Sequence, residues 1–120
     1  TDLLESAGIA VEVPEALQDA VTATSGSGPA YFFAFVESMI KGAMQLGLSE
    51  AIATQLSVQT FIGAAELLRT SGKSATTLRE NVTSPNGTTF AALQSFAESE
   101  MDSIVSKAMK AARDRSIELS

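Results

Sequence analysis

The sequence predicts an all-α domain of five to six helices, and three observations carry that prediction. Long stretches repeat their apolar residues at i, i+3, i+4 and i+7. Glycine, proline and serine fall mostly between those stretches. Only one short run, residues 9–13, alternates as a strand would.

In chain order, residues 1–8 read as the tail of a helix closed by Gly8. Ile9-Ala10-Val11-Glu12-Val13 is a candidate strand ended by Pro14, with nothing in the chain to pair with. Residues 14–23 read as a short helix with proline at or near its first position, and Leu17, Ala20 and Val21 share a face. Thr24-Ser25-Gly26-Ser27-Gly28-Pro29-Ala30-Tyr31 follows. Its glycines suggest a phosphate loop, but Tyr31 stands where the dinucleotide fingerprint needs its third glycine, and no Gly-Lys-Ser/Thr follows. The stretch reads instead as the entrance to a helix, with Ser27 or Gly28 as cap and Pro29 at the first position.

The next helix, 29–46, is apolar on almost every side, leaving Glu37, Ser38, Lys41 and Gln45 as a polar strip. Such a helix needs neighbours on several faces. Gly47 closes it, and Ser49-Glu50 opens a helix reaching about Thr70. Gly63 in its middle costs about 1 kcal/mol relative to alanine, so a close helix–helix approach is expected there. Ser71-Gly72 ends that helix, a short one runs from Ser74 to about Arg79, and another follows a polar bend at 82–89. Glu98-Ser99-Glu100 is expected to begin the last helix. It runs to about Leu119, with a stripe of Met101, Ile104, Val105, Ala108, Met109 and Ala112. Two long apolar helices are hard to cover within 120 residues, so the core is expected to extend across a dimer seam.

Composition narrows the chemistry. The chain has neither cysteine nor histidine. That removes disulfides, thiol nucleophiles, Cys/His metal sites and histidine acid–base catalysis. No carboxylates sit at calcium-loop spacing, so no metal is expected. A net charge of -6 disfavours nucleic acid and anionic membranes. The basic cluster, Lys107, Lys110, Arg113 and Arg115, sits near a helix end where cations suit the dipole. Hydrophobic residues make up 45% of the chain and mean hydropathy is +0.17, yet no run reaches transmembrane length. Lack of cysteine fits a reducing, cytoplasmic location.

The most informative stretch is Val82-Thr83-Ser84-Pro85-Asn86-Gly87-Thr88-Thr89. Proline fixes φ, and Asn and Gly tolerate left-handed backbone. Ser84, Thr88 and Thr89 can each cap the helix that Phe90, Leu93, Phe96 and Ala97 announce. A cap and nothing more is the plain alternative. Five of the six residues from Ser84 to Thr89 are hydroxyl, amide or glycine, however, where one cap would do. A helix start with free N–H groups attracts anions, so a small carboxylate or phosphate is the expected ligand.

Two motifs stand in order: Asp19-Ala20-Val21-Thr22-Ala23-x-Ser25-Gly26-Ser27-Gly28-Pro29-Ala30-Tyr31, and Val82-Thr83-Ser84-Pro85-Asn86-Gly87-Thr88-Thr89-x-Ala91-Ala92-Leu93. Together they resemble the C-terminal domain of pyrroline-5-carboxylate reductase, which reduces a cyclic imine to proline with NADPH or NADH. The likeness extends to Leu46-Gly47-Leu48, Gln59-Thr60 and Gly63-Ala64-Ala65. Asn86 departs from it, since many relatives carry glycine there.

The resemblance implies a helical dimerisation domain over 14–120, with 1–13 left over from an N-terminal Rossmann domain that holds NADP or NAD. It implies a homodimer, with further assembly open. By the same resemblance, Ser84 and the amides of Gly87 and Thr88 hold the substrate carboxylate. The Thr89 hydroxyl serves catalysis at the ring nitrogen, and Asn81 and Val82 line the wall. The Ser25–Tyr31 segment is assigned a structural role near the dimer cleft. A stand-alone helical dimerisation module with no catalytic activity is the competing reading. An acidic adaptor has little support, because the acidic residues do not cluster.

Overall fold

The computed structural model describes residues 12–120. The helix tail expected over 1–8 lies outside the described residues, as do residues 9–11 of the expected strand. Glu12 and Val13 carry no regular structure, and the described residues contain no strand.

The chain is all-α, as expected. A 3₁₀ turn, Glu15–Leu17, leads through α1 (Gln18–Val21) and a π-helical turn (Thr22–Gly26) into α2 (Gly28–Gln45). Then come α3 (Glu50–Thr70), α4 (Ala75–Asn81), α5 (Thr88–Glu98) and α6 (Met101–Leu119). Residues 12–33 and 100–120 belong to one compact unit, and 34–99 form another.

In the first unit α6 packs along α1 and the π turn. The Ser116 hydroxyl donates to the Asp19 carboxylate at 2.6 Å. The helix expected to stop at Ala23 instead continues as π-helix to Gly26. Its hydroxyls supply a reason. Those of Thr22, Thr24 and Ser25 donate to the carbonyls of Gln18, Ala20 and Val21, four residues back. Side chains that occupy these acceptors compete with the backbone ladder, and the Ser27 N–H reaches a further residue back, to Thr22, at 2.8 Å. The Tyr31 hydroxyl donates to the carbonyl of Ala23 at 2.6 Å, and Ala23 itself is buried. Hence the Ser25–Tyr31 segment is two helical stretches, ending at Gly26 and beginning at Gly28, with Ser27 a bend between them, rather than an open glycine loop.

The remaining helix ends follow from local chemistry. Gly47, at φ 106°, closes α2. Its N–H bonds Met44 and that of Leu48 bonds Ala43, the paired pattern of a Schellman end. Ser49 caps α3 by accepting from the Ile52 N–H at 3.3 Å, and Ser74 caps α4 by accepting from Thr77 at 3.1 Å. Ser49→Ala is therefore expected to cost about 1 kcal/mol of stability, read as a lower midpoint in urea. α4 runs two residues past the expected Arg79.

The last helix does not begin at Glu98, which ends α5. Glu100 sits in left-handed backbone, φ 60°, and separates α5 from α6. α6 then runs far enough that its last turn carries no base. Three members of the basic cluster pair along the helix instead: Lys110 and Arg113 both bind Asp114, and Arg115 binds Glu118. Arg113, then Lys110, hold the Asp114 carboxyl below its usual range.

The expected reason for Gly63 is not met among the described residues. A Cβ built there meets nothing within 4 Å, and the same holds at Gly42. Large apolar side chains are open as well: Phe33 is 64% exposed, Ile62 51% and Ile104 60%. The buried apolar residues among those described are two alanines, Ala23 and Ala53. Burying a Leu, Ile or Phe side chain stabilises by about 1.5–3 kcal/mol, and most of that gain remains unclaimed here.

Candidate functional site

The candidate site lies within the unit of residues 34–99, where α4, the bend and α5 follow one another. α4 packs on α3, and Leu67, Leu68, Leu78 and Val82 line a groove of about 240 Å³ between them. α5 is held further along by Phe96, whose ring meets Phe35 of α2 edge to face at 6.2 Å. The bend is thus carried between two helices fixed by apolar packing.

Asn81 is the last residue of α4. Thr83 closes that helix, its hydroxyl donating to the Arg79 carbonyl at 2.6 Å and its N–H to Glu80 at 3.1 Å. Ser84 to Gly87 then form a β-turn closed by the Gly87 N–H on the Ser84 carbonyl at 3.0 Å. Pro85 takes the second position and Asn86 the third, at φ 58°, which is the arrangement of a type II turn. Both Asn86 and Gly87 tolerate left-handed backbone, but only Asn86 adopts it. Gly87 is extended, φ -85° and ψ -173°. Space rather than φ restricts position 87, because a Cβ there would stand 3.3 Å from both Cβ and O of Ser84.

Gly87 is also the N-cap of α5, and no side chain caps that helix. Ser84, Thr88 and Thr89 are all close in sequence, and none takes the role that Ser49 and Ser74 take at α3 and α4. The first helical bond runs from Ala91 to the Gly87 carbonyl. The amides of Thr88, Thr89 and Phe90 therefore have no acceptor among the described residues, as expected of an uncapped first turn. The hydroxyls of Ser84, Thr88 and Thr89 likewise have no partner there. Ser84 and Thr88 are exposed, Gly87 and Thr89 half-buried, and Val82 is 65% exposed.

The bend thus gathers Ser84, Gly87, Thr88 and Thr89 into one short segment, with Asn81 and Val82 at its approach. One detail could not be read from the residues alone. The Gly87 amide is engaged within the turn, so the open donors are those of Thr88, Thr89 and Phe90. Chemically the arrangement offers amide and hydroxyl donors to a small anion, without a formal positive charge. No cluster of potential metal ligands occurs among the described residues, and no described helix is long and apolar enough to cross a membrane.

Comparison with known proteins gives a consistent picture. The family described as "Pyrroline-5-carboxylate reductase dimerisation" matches residues 15–119. A pyrroline-5-carboxylate reductase of Pseudomonas aeruginosa is 47% identical over 118 residues, covering 98% of this chain and 43% of that protein. One from Corynebacterium melassecola is 45% identical, covering 98% of this chain and 44% of its own length. Among solved structures, the pyrroline carboxylate reductase of Plasmodium falciparum, with NADP bound, superposes with a TM-score of 0.84 at 36% identity. That match covers 96% of this chain and 46% of the other. The reductase of Coxiella burnetii gives 0.86 at 38%, covering 91% and 40%. The chain spans less than half the length of these relatives.

Proposed function

The chain belongs to the pyrroline-5-carboxylate reductase dimerisation family, and from that membership we propose that it is the assembling and substrate-holding part of such an enzyme. The reaction is the reduction of 1-pyrroline-5-carboxylate to proline with NADPH or NADH, in the cytoplasm. Residues 14–120 form the helical domain, and 1–13 belong to the nucleotide-binding domain before it. The observation that carries the reading is the uncapped start of α5 beside unused hydroxyls.

In this proposal the substrate carboxylate accepts from the amides of Thr88 and Thr89 and from the Ser84 hydroxyl. The dipole of α5 favours its charge. Gly87 shapes the bend, while Asn81 and Val82 wall the pocket. Anchoring the ring by its acid group fixes the imine carbon and nitrogen in space. The Thr89 hydroxyl then acts at the ring nitrogen. It donates to the neutral imine and accepts from the protonated one, so it holds the proton that makes the adjacent carbon electrophilic. No histidine is needed.

The glycine pair at 26 and 28 does not form a dinucleotide phosphate loop. Gly26 lies in the π turn, and Gly28 is buried at the start of α2. The nicotinamide is therefore assigned to the part of the enzyme outside this chain, and it supplies the hydride.

Family membership and the open apolar faces of α2, α3 and α6 support a homodimer, in which a second copy covers those faces and the space beside Gly63. Light scattering at micromolar concentration is expected to give at least a dimeric mass. A monomeric mass would remove the shared core. Calorimetric titration with L-proline tests the carboxylate pocket. Binding by the wild-type enzyme that weakens in Ser84→Ala supports it. Equal binding by both would leave the helical assembly role alone.

A further inference from the structure

The bend contains two restrictions that arise separately and sit side by side. Asn86 is at φ 58°, where most side chains are strained and asparagine is among the few tolerated. Gly87 has ordinary φ, but a Cβ there would be tight, with Ser84 Cβ and O at 3.3 Å. Pro85, before them, has its φ set by its own ring. Pro85 is thus limited in φ, Asn86 holds a left-handed φ, and position 87 is tight for any side chain, each for a different cause. The turn bond from Gly87 to Ser84 closes over them at 3.0 Å. Among the described residues, Glu100 is the other non-glycine with positive φ, and it merely separates two helices.

We propose that Asn86 is a positioning residue, whose left-handed backbone sets the angle at which the Ser84 hydroxyl and the Thr88 and Thr89 amides face the substrate carboxylate. The inference rests on the carboxylate-binding reading above and extends it. Glycine at this position would adopt the same φ but would sample many more conformations before the substrate arrives. Alanine would disfavour the conformation itself. Asparagine gives the required φ with fewer alternatives. The bend is exposed, so a change here moves the presentation of donors more than the stability of the helices.

Steady-state kinetics of the full-length enzyme tests this. Asn86→Gly is expected to raise KM for the cyclic imino acid about two- to fivefold, because a bend that samples more conformations when empty must be ordered on binding. Asn86→Ala should raise it more, about five- to tenfold. Both should leave kcat within about twofold, since the group at the ring nitrogen is untouched. Amide exchange at Gly87 should quicken in Asn86→Gly while the thermal midpoint stays put. Ser84→Ala serves as the control for the pocket. If Ser84→Ala raises KM and both Asn86 variants match wild type, the positioning role is overturned and the pocket stands. If Ser84→Ala leaves KM unchanged, the pocket itself falls and the inference with it. A loss confined to kcat would also overturn it.

Discussion

Thr89→Ala in the full-length enzyme is expected to lower kcat about a hundredfold, the lower end of what a positioned proton-handling group contributes. The residue occupies the second position of α5, one place beyond the first open amide, and is half-buried while its neighbours Ser84 and Thr88 are exposed. Its hydroxyl is free among the described residues, unlike those of Thr22, Thr24 and Thr83, which are spent on carbonyls of their own helices. Thr89 lies at the second helical position, past the N-cap Gly87, so its hydroxyl is not committed to capping. The effect should fall on kcat with a smaller change in KM, because the carboxylate contacts at Ser84 and Thr88 survive. Thr89→Ser keeps the hydroxyl and should retain most of the activity. Wild-type turnover in Thr89→Ala would take the side chain out of the chemistry. A large loss in Thr89→Ser would point to the methyl group instead.

Much of this fold was legible because its helix ends use strong local chemistry. Ser49, Ser74 and Gly47 each act within a few residues of themselves, so the signal is present in the sequence. The π turn was not legible. It depends on Thr22, Thr24 and Ser25 turning their hydroxyls onto their own helix, and the same residues could equally have marked a loop. The end of α5 was missed because Ser99 and Glu100 resemble a cap, whereas the break comes from left-handed backbone at Glu100.

Gly63 in mid-helix suggests a close approach, but a Cβ built there meets nothing beyond its own helix turn within 4 Å among the described residues. Such a position reports on a neighbour, and the sequence of one chain does not say whose neighbour it is. The candidate site was legible as a segment for the reason that the helix ends were. Its residues are consecutive, and turn chemistry fixes their order in space. What escaped was the allocation of individual amides, because the turn closes through Gly87 itself.

Gly87→Val carries the other large expected effect, a tenfold or greater loss of affinity for L-proline or a similar cyclic carboxylate. The cause is steric. The φ of -85° at this position is open to any residue, so backbone strain does not forbid valine. The first added carbon would already stand 3.3 Å from the Ser84 Cβ and carbonyl oxygen, and valine's two further methyls crowd the same turn. Overpacking of this kind costs about 1–3 kcal/mol. Here the turn can shed that cost by opening the bond from the Gly87 N–H to Ser84. Opening it displaces Ser84 and the N-cap of α5 together, and these are the groups assigned to the carboxylate. The loss should therefore appear in ligand affinity, with little change in thermal midpoint, because the bend lies at the surface and α5 remains anchored by Phe96 on Phe35. Gly87→Ala should fall between wild type and valine. Unchanged affinity in Gly87→Val would mean that the bend can widen without disturbing the pocket. The steric coupling between position 87 and the carboxylate donors would then be wrong.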